Sequence, residues 1–308
     1  MKKVFYLLAA AATLVFAASC NKEVAEETYE ATFRVNLEQA QTKATVFSDG
    51  HSATKLQVLV YSTTDGYLPS ISLLTEEIHM TREVNLKLVK GKTYEIVFWA
   101  QNEAGPYTIN PAAATMTVTT VGKANDEARD AFYKLYNTGK VTGPINETIE
   151  LRRPFAQINV YTTNADFEAA KANNVKFTES SMKITAPTVL NLRTGDVSTP
   201  VEYNLTNAPM DVDATPAVDG YKYIAMNYVL AATRESGNPE LTTVKFGVYT
   251  DDTPNPAALL NECSVANVPY QRNYRTNIMG DIFSVNGKFN VIIIPEYDGE
   301  HNFPFTNE

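Results

Sequence analysis

Thr28-Tyr29-Glu30-Ala31-Thr32-Phe33-Arg34-Val35-Asn36-Leu37 decides the fold. Its apolar residues Ala31, Phe33, Val35 and Leu37 fall on every second position, which places them together on one face of a half-buried strand. The same alternation returns over Leu56–Ser62, Glu83–Val89, Lys92–Gln101, Thr115–Val121 and Ile145–Leu151. Lys90-Gly91, between two such runs, predicts a tight hairpin. One helix is predicted to interrupt the series. Asn125 would cap it, Ala128, Phe132 and Leu135 recur at spacings of four and three, and Asp126 and Glu127 suit its first turn.

At Leu151-Arg152-Arg153-Pro154-Phe155 a proline breaks any central strand, and a new alternating run, Gln157–Thr162, follows at once. A boundary there separates a domain over 28–150 from a second over 151–308. The second predicts a short helix over Ala165–Ala172 capped by Asn164, then strands over Lys176–Thr185, Thr188–Leu192, Tyr221–Ala231, Thr242–Thr250 and Leu260–Asn267. Asn286-Gly287 between Tyr274–Ser284 and Lys288–Tyr297 reads as a type I′ hairpin. Val291–Ile294 is continuously apolar, as in a strand buried on both faces, and Asn204–Asp219 reads as a long surface loop. The pattern is all-β with short helical insertions, in two domains or one very large sandwich.

Upstream of Thr28, Lys2 and Lys3 precede an apolar run from Val4 to Ala18 that ends in Ala17-Ala18-Ser19-Cys20. This is the order of a lipoprotein signal over residues 1–19, with Cys20 carrying the acyl chains. The run is short for a spanning helix, which needs about 20 apolar residues. Each buried methylene contributes about 0.8 kcal/mol, so a multiply acylated (palmitate-type) Cys20 would hold the protein on a membrane. Residues 20–27, with Glu23, Glu26 and Glu27, then form an acidic tether, and the expected address is the outer membrane, facing outward.

The 308 residues carry 26 Lys and Arg against 35 Asp and Glu, a net charge of −9. Such a balance excludes nucleic acid as a partner. With Cys20 consumed by lipid, Cys263 stands alone, and no intramolecular disulfide is available to an exported protein. Cys263 reads as a buried, inert thiol.

Catalytic chemistry lacks a motif. His51, His79 and His301 sit at no metal-ligand spacing, and neither Asp251-Asp252 with Asn255 nor Asp211 with Asp213 follows a calcium loop. No phosphate loop, nucleophile elbow or identifiable carboxylate pair is present. Neither cofactor nor metal is expected. Trp99 and seventeen tyrosines offer material for a glycan platform, although Tyr94, Phe98 and Ala100 alternate as core residues do.

Four stretches taken in order, Tyr94–Gln101, Ala124–Tyr133, Leu151–Ile158 and Val268–Ile278, make the chain resemble the fimbrillin-like lipoproteins of Gram-negative gut and oral anaerobes, which supply type V pilus subunits. The resemblance implies two tandem transthyretin-like β-sandwiches and no enzyme. It also implies assembly with other pilus subunits by strand exchange: a protease removes the first strand, and a neighbour's strand fills the opened groove. Here the exchangeable strand would be Thr28–Leu37, with Ala31, Phe33, Val35 and Leu37 as its inward anchors. The loop over residues 38–55 holds Lys43 and Lys55 but no arginine, and Arg34 lies inside the strand. Cleavage after Lys43, at Arg34, by another protease, or not at all, are the routes left open. A donor strand would come from Phe289, Val291 and Ile293, with Phe303 and Phe305 as further anchors. The other reading is a surface glycan-binding lipoprotein of a nutrient-uptake system. A receptor or glycan on a host or bacterial surface would be its partner, and an exposed set of aromatics with flanking amides its mark.

Overall fold

In the computed structural model the alternation of Thr28–Leu37 becomes a ten-residue strand with Ala31, Phe33, Val35 and Leu37 all buried. The structure describes residues 26–38, 48–173, 179–209, 220–233, 239–250, 258–283, 289–294 and 303–304. In chain order the strands are β1 (Thr28–Leu37), β2 (Lys55–Ser62), β3 (Gly66–Tyr67), β4 (Leu73–Glu77), β5 (Thr81–Val89) and β6 (Thr93–Gln101). There follow β7 (Tyr107–Asn110), β8 (Thr115–Val118), β9 (Val121–Lys123), β10 (Phe132–Lys140), β11 (Ile145–Leu151) and β12 (Phe155–Thr163). After the helix α1 (Asn164–Ala172) come β13 (Glu179–Ala186), β14 (Val189–Asn191), β15 (Val201–Pro209), β16 (Tyr221–Leu230) and β17 (Glu240–Thr250). Last are β18 (Ala258–Tyr270), β19 (Arg275–Gly280), β20 (Phe289–Ile294) and β21 (Phe303–Pro304).

These strands form an all-β sandwich architecture. A three-stranded sheet, β11-β1-β5, lies against the sheet β10-β6-β2-β3, and the inward residues of β1 pack with Val58, Val60, Ile96 and Phe98 in one core. The opposite face of β2 and β6, carrying Leu59, Tyr61, Val97 and Trp99, enters a second core. That double burial explains why Leu56–Ser62 and Tyr94–Gln101 are nearly continuous apolar runs. The second core continues between the sheets β16-β12-β19-β20-β21 and β18-β17-β13-β15-β9. It also crosses residue 151, for Trp99 meets Phe155 edge-on at 6.3 Å, β9 pairs with β15 and β8 with β14.

The two halves share a plan. β1 runs antiparallel to β5 and parallel to β11; β12 runs antiparallel to β16 and parallel to β19.

Four local expectations change. The helix predicted from Asn125 is only a 3-10 turn over Glu127–Arg129, capped by Asp126, and Phe132 and Leu135 belong to β10. Asn125 sits at φ +56°, and the Asp130 carboxylate turns inward to pair with Arg153, so the chain leaves the helical path there. Phe132 and Leu135 add instead to the edge of β6, opposite Ala100 and Val97. Lys90-Gly91 is a tight turn with Gly91 at φ +82°, but it carries the chain from one sheet to the other instead of joining paired strands. Asn286-Gly287 lies outside the described residues. Asn204–Pro209 is strand, and the rest of that predicted loop lies outside the described residues. The helix α1 is capped by Thr163, whose Oγ1 accepts from the Asp166 amide, with Asn164 as its first residue. The predicted two-faced burial of Val291–Ile294 falls on side chains outside the described set.

Candidate functional site

Strand β1 is the centre of its sheet. From Ala31 to Leu37 it is in register with Ile145–Leu151 on one side, and from Thr28 to Asn36 with Val89–Thr81 on the other. Phe33 is fully buried and meets both Phe98 and Tyr136 edge-on at 5.4 Å. Burying its three large anchors, Phe33, Val35 and Leu37, contributes about 5–9 kcal/mol. The outward face is polar: Lys87 lies 3.7 Å from Glu30, Thr32 Oγ1 donates to Asn85 Oδ1 at 2.8 Å, and Asn36 Nδ2 donates to Glu150 Oε1 at 2.8 Å. At the strand's start Lys90 Nζ pairs with Glu27 at 2.7 Å, and this hydrogen bond holds the exposed Glu27 carboxyl below its usual range. At its end the Leu37 and Glu38 amides donate to Met80 and Leu151 carbonyls. Lifting β1 out would leave a trough between β5 and β11 with open backbone donors and acceptors on both walls.

The chain resumes at Ser48, which is fully buried and held at φ +72°. Arg153 donates through Nη2 to the Ser48 carbonyl at 2.8 Å while Nε and Nη2 grip the Asp130 carboxylate at 2.6 and 2.8 Å, and its guanidinium lies 4.4 Å from the Phe132 ring centroid. The Ser48 amide donates to Glu127 Oε2 at 2.9 Å. Ser48 Oγ lies 2.7 Å from Gln157 Oε1 and 2.8 Å from Tyr228 OH, and Tyr228 OH lies 2.9 Å from Glu127 Oε1.

Arg275 Nε donates to Gln157 Oε1 at 2.7 Å, which identifies that atom as oxygen, so Ser48 must donate to it. Tyr228 OH donates to Glu127 Oε1. Burial, with the nearby Asp130 charge adding to it, pushes the Glu127 carboxyl up to about 8. The Asp130 carboxyl is also pushed up by burial, against the pull of Arg153. Ser48 is thus fixed by backbone and side chain to residues more than seventy positions away.

Of the predicted site residues, Ala31, Phe33, Val35 and Leu37 lie together in the β1 trough, and Arg34 is exposed mid-ladder opposite Glu83 and Thr148. Phe289, Val291 and Ile293 lie on β20, which pairs with β19 and β21, and Phe303 lies on β21. Cys20, Lys43 and Phe305 lie outside the described residues, as do His301, Asp211, Asp213, Asp251, Asp252 and Asn255. His51 and His79 are exposed, and no metal-ligand cluster occurs among the described residues. Trp99 is core, donating to Gln101 Oε1. Cys263 is half-buried and its thiol pKa is raised by burial, which lowers its reactivity. The Ser48 cluster was not foreseen; its local signal was Arg152-Arg153 beside Pro154, with Asp126, Glu127 and Asp130 crowded into five residues.

Residues 21–307 match the model of a family described as a family of unknown function, DUF6562. The chain belongs to DUF6562. Among curated proteins no match is found. This DUF6562 member is similar to the tip fimbrial protein Mfa3 from Porphyromonas gingivalis, at 14% identity and a TM-score of 0.46 over 86% of this chain and 99% of that one. It is also similar to the fimbrial anchor protein Mfa2 from the same organism, at 11% identity and a TM-score of 0.43 over 86% and 97%. A third similar structure is a fimbrial assembly protein from Parabacteroides distasonis, at 9% identity and a TM-score of 0.44 over 89% and 98%.

Proposed function

We propose that the chain is a surface-tethered subunit of fimbrial or adhesin type, built as two tandem sandwich units and assembled by β-strand exchange without catalysis. The observation that carries this reading is the position of β1. It is the first described strand, it is the centre of its sheet, and its four inward side chains fill a trough between β5 and β11. A strand with that spacing of apolar residues, supplied by a neighbour, would satisfy the same backbone groups and the same hollows. Lipid on Cys20 would hold the unexchanged chain at the outer membrane. Cleavage after Lys43 would free β1 while Ser48 stays bound; cleavage at Arg34 would need the ladder to open first, because Arg34 is paired on both sides. Phe289–Ile294 already completes a sheet of its own chain, which favours an anchor, tip or accessory subunit that receives a strand over one that gives Phe289, Val291, Ile293, Phe303 and Phe305 away.

Intact mass and N-terminal sequencing of protein released from the native cell surface test the reading. High-mass assemblies whose chains begin near Ala44 or Val35 are the expected result for an exchanging subunit. Monomers only, each with its first strand intact, would overturn strand exchange.

A further inference from the structure

A cleft of about 470 Å³ opens where the two halves meet, lined by β10 (Tyr133, Lys134, Leu135), the join Arg152–Pro154, and the turns bearing Gly195, Thr233 and Arg272–Tyr274. That volume falls within the roughly 300–1,000 Å³ of small-molecule sites and is far more than one oxyanion occupies. Its lining contains Lys134, Arg152, Arg153 and Arg272 and no acidic residue, in a chain with nine more acids than bases. Arg153 is committed to Asp130, and Arg152 lies 3.8 Å from Glu38 with its side chain 58% exposed. Lys134 is exposed.

The walls are fixed before any ligand arrives. Arg272 donates through Nε and Nη2 to the Ala231 carbonyl at 3.0 and 2.9 Å and through Nη2 to the Gly195 carbonyl at 3.2 Å, stapling two turns together. Tyr133 OH donates to the Leu192 carbonyl at 2.7 Å. Asn273 is only 3% exposed; its Oδ1 accepts from the Arg153 amide at 3.3 Å, which orients the side chain, and its Nδ2 is buried with no partner.

The lining therefore offers charged and neutral donors, hydroxyls at Thr194 and Thr233, an amide at Gln271, two tyrosines, and no carboxylate to accept from a ligand. We propose that this cleft binds an acidic sugar unit, a pyranose bearing a carboxylate or sulfate, with Lys134 and Arg152 facing its charge and the hydroxyls of Thr194 and Thr233 facing its ring and hydroxyl oxygens. An acidic peptide matches the charge but brings backbone N–H donors to walls already rich in donors. The inference concerns recognition and needs no exchanged strand.

Calorimetric titration of the full chain with a galacturonate trisaccharide and with a chondroitin sulfate tetrasaccharide tests it, using a neutral glucan trisaccharide, hexaglutamate and sodium sulfate as comparators. The expected result is saturable binding of at least one acidic sugar, weakening as salt rises and falling at least tenfold in Lys134→Glu, an exposed position where folding is unaffected. Arg152→Gln, at a side chain 58% exposed, removes the second charge and should lower affinity likewise, with circular dichroism confirming the fold. Binding of neither sugar, unchanged affinity in Lys134→Glu, or equally tight binding of hexaglutamate or sulfate would overturn the proposal.

Discussion

Glu127 accepts from the Ser48 amide and from Tyr228 OH in surroundings whose burial raises its carboxyl pKa. Its carboxyl sits at about 8 in the folded chain against an ordinary 4.5 when unfolded. The folded state therefore binds a proton there more tightly, and the resulting stability is fully present below about 4.5 and lost as pH rises through 8. Glu127→Gln mimics the protonated acid, accepting from the Ser48 amide. The midpoint of thermal unfolding should be close to native for this variant at pH 5 and higher than native at pH 8.5. Asp130→Ala should lower stability by about 3–5 kcal/mol in denaturant titration, because it leaves the fully buried Arg153 charge without its carboxylate. None of this cluster was legible in the sequence. Its other members lie 79 to 180 positions from Ser48, and no local period links Ser48 to Gln157, Tyr228 or Glu127.

Strands, by contrast, were legible wherever one face is wet and the other dry. Thr28–Leu37 reads correctly because its four inward residues alternate with polar ones, and the same holds for Thr81–Val89. Ala128, Phe132 and Leu135 misled at this scale. Three apolar residues at helical spacing also fit a turn followed by an edge strand, and the choice was made by Asp130 turning toward Arg153 and by the ladder offered by β6. The trough under β1 should select its occupant by side chain. A chain beginning at Ser48, offered the peptide Thr28–Leu37, should recover a cooperative unfolding transition, and the same peptide with Phe33→Ala should bind weaker by about 3–5 kcal/mol, since Phe33 fills the space between Phe98 and Tyr136. Equal affinities measured by fluorescence titration would count against the trough as a selective site.

For the whole molecule, the two cores share the sheet of β2 and β6, so destabilising one half should be felt by the other. Trp99, in the second core but on a first-half strand, is the natural reporter: its emission should change in a single transition with backbone circular dichroism. No helix among the described residues is long and apolar enough to span a membrane. Cys20→Ala should abolish acyl labelling and release the protein into the soluble fraction; unchanged retention would remove the lipid anchor. An expected division at residue 151 was legible, as alternation recurring on either side of Pro154. Its crossing by β8, β9 and Trp99 was not, because pairing across 70 or more residues leaves no mark on local pattern.

The neighbours of β1 have one more consequence. Because β5 is antiparallel to β1 and β11 parallel to it, the two walls of the trough run in opposite directions. Any strand laid between them forms one parallel and one antiparallel ladder, whichever end enters first. The backbone is therefore blind to the polarity of an incoming strand, and a period-two row of side chains keeps its spacing when reversed. Orientation must be imposed by the unequal sizes of the hollows, small at Ala31 and large at Phe33, and by where the incoming chain is tied to its own fold. The same geometry surrounds β12, but there the strand is tied into the chain at both ends, so only the first slot leaves its direction of filling to be decided.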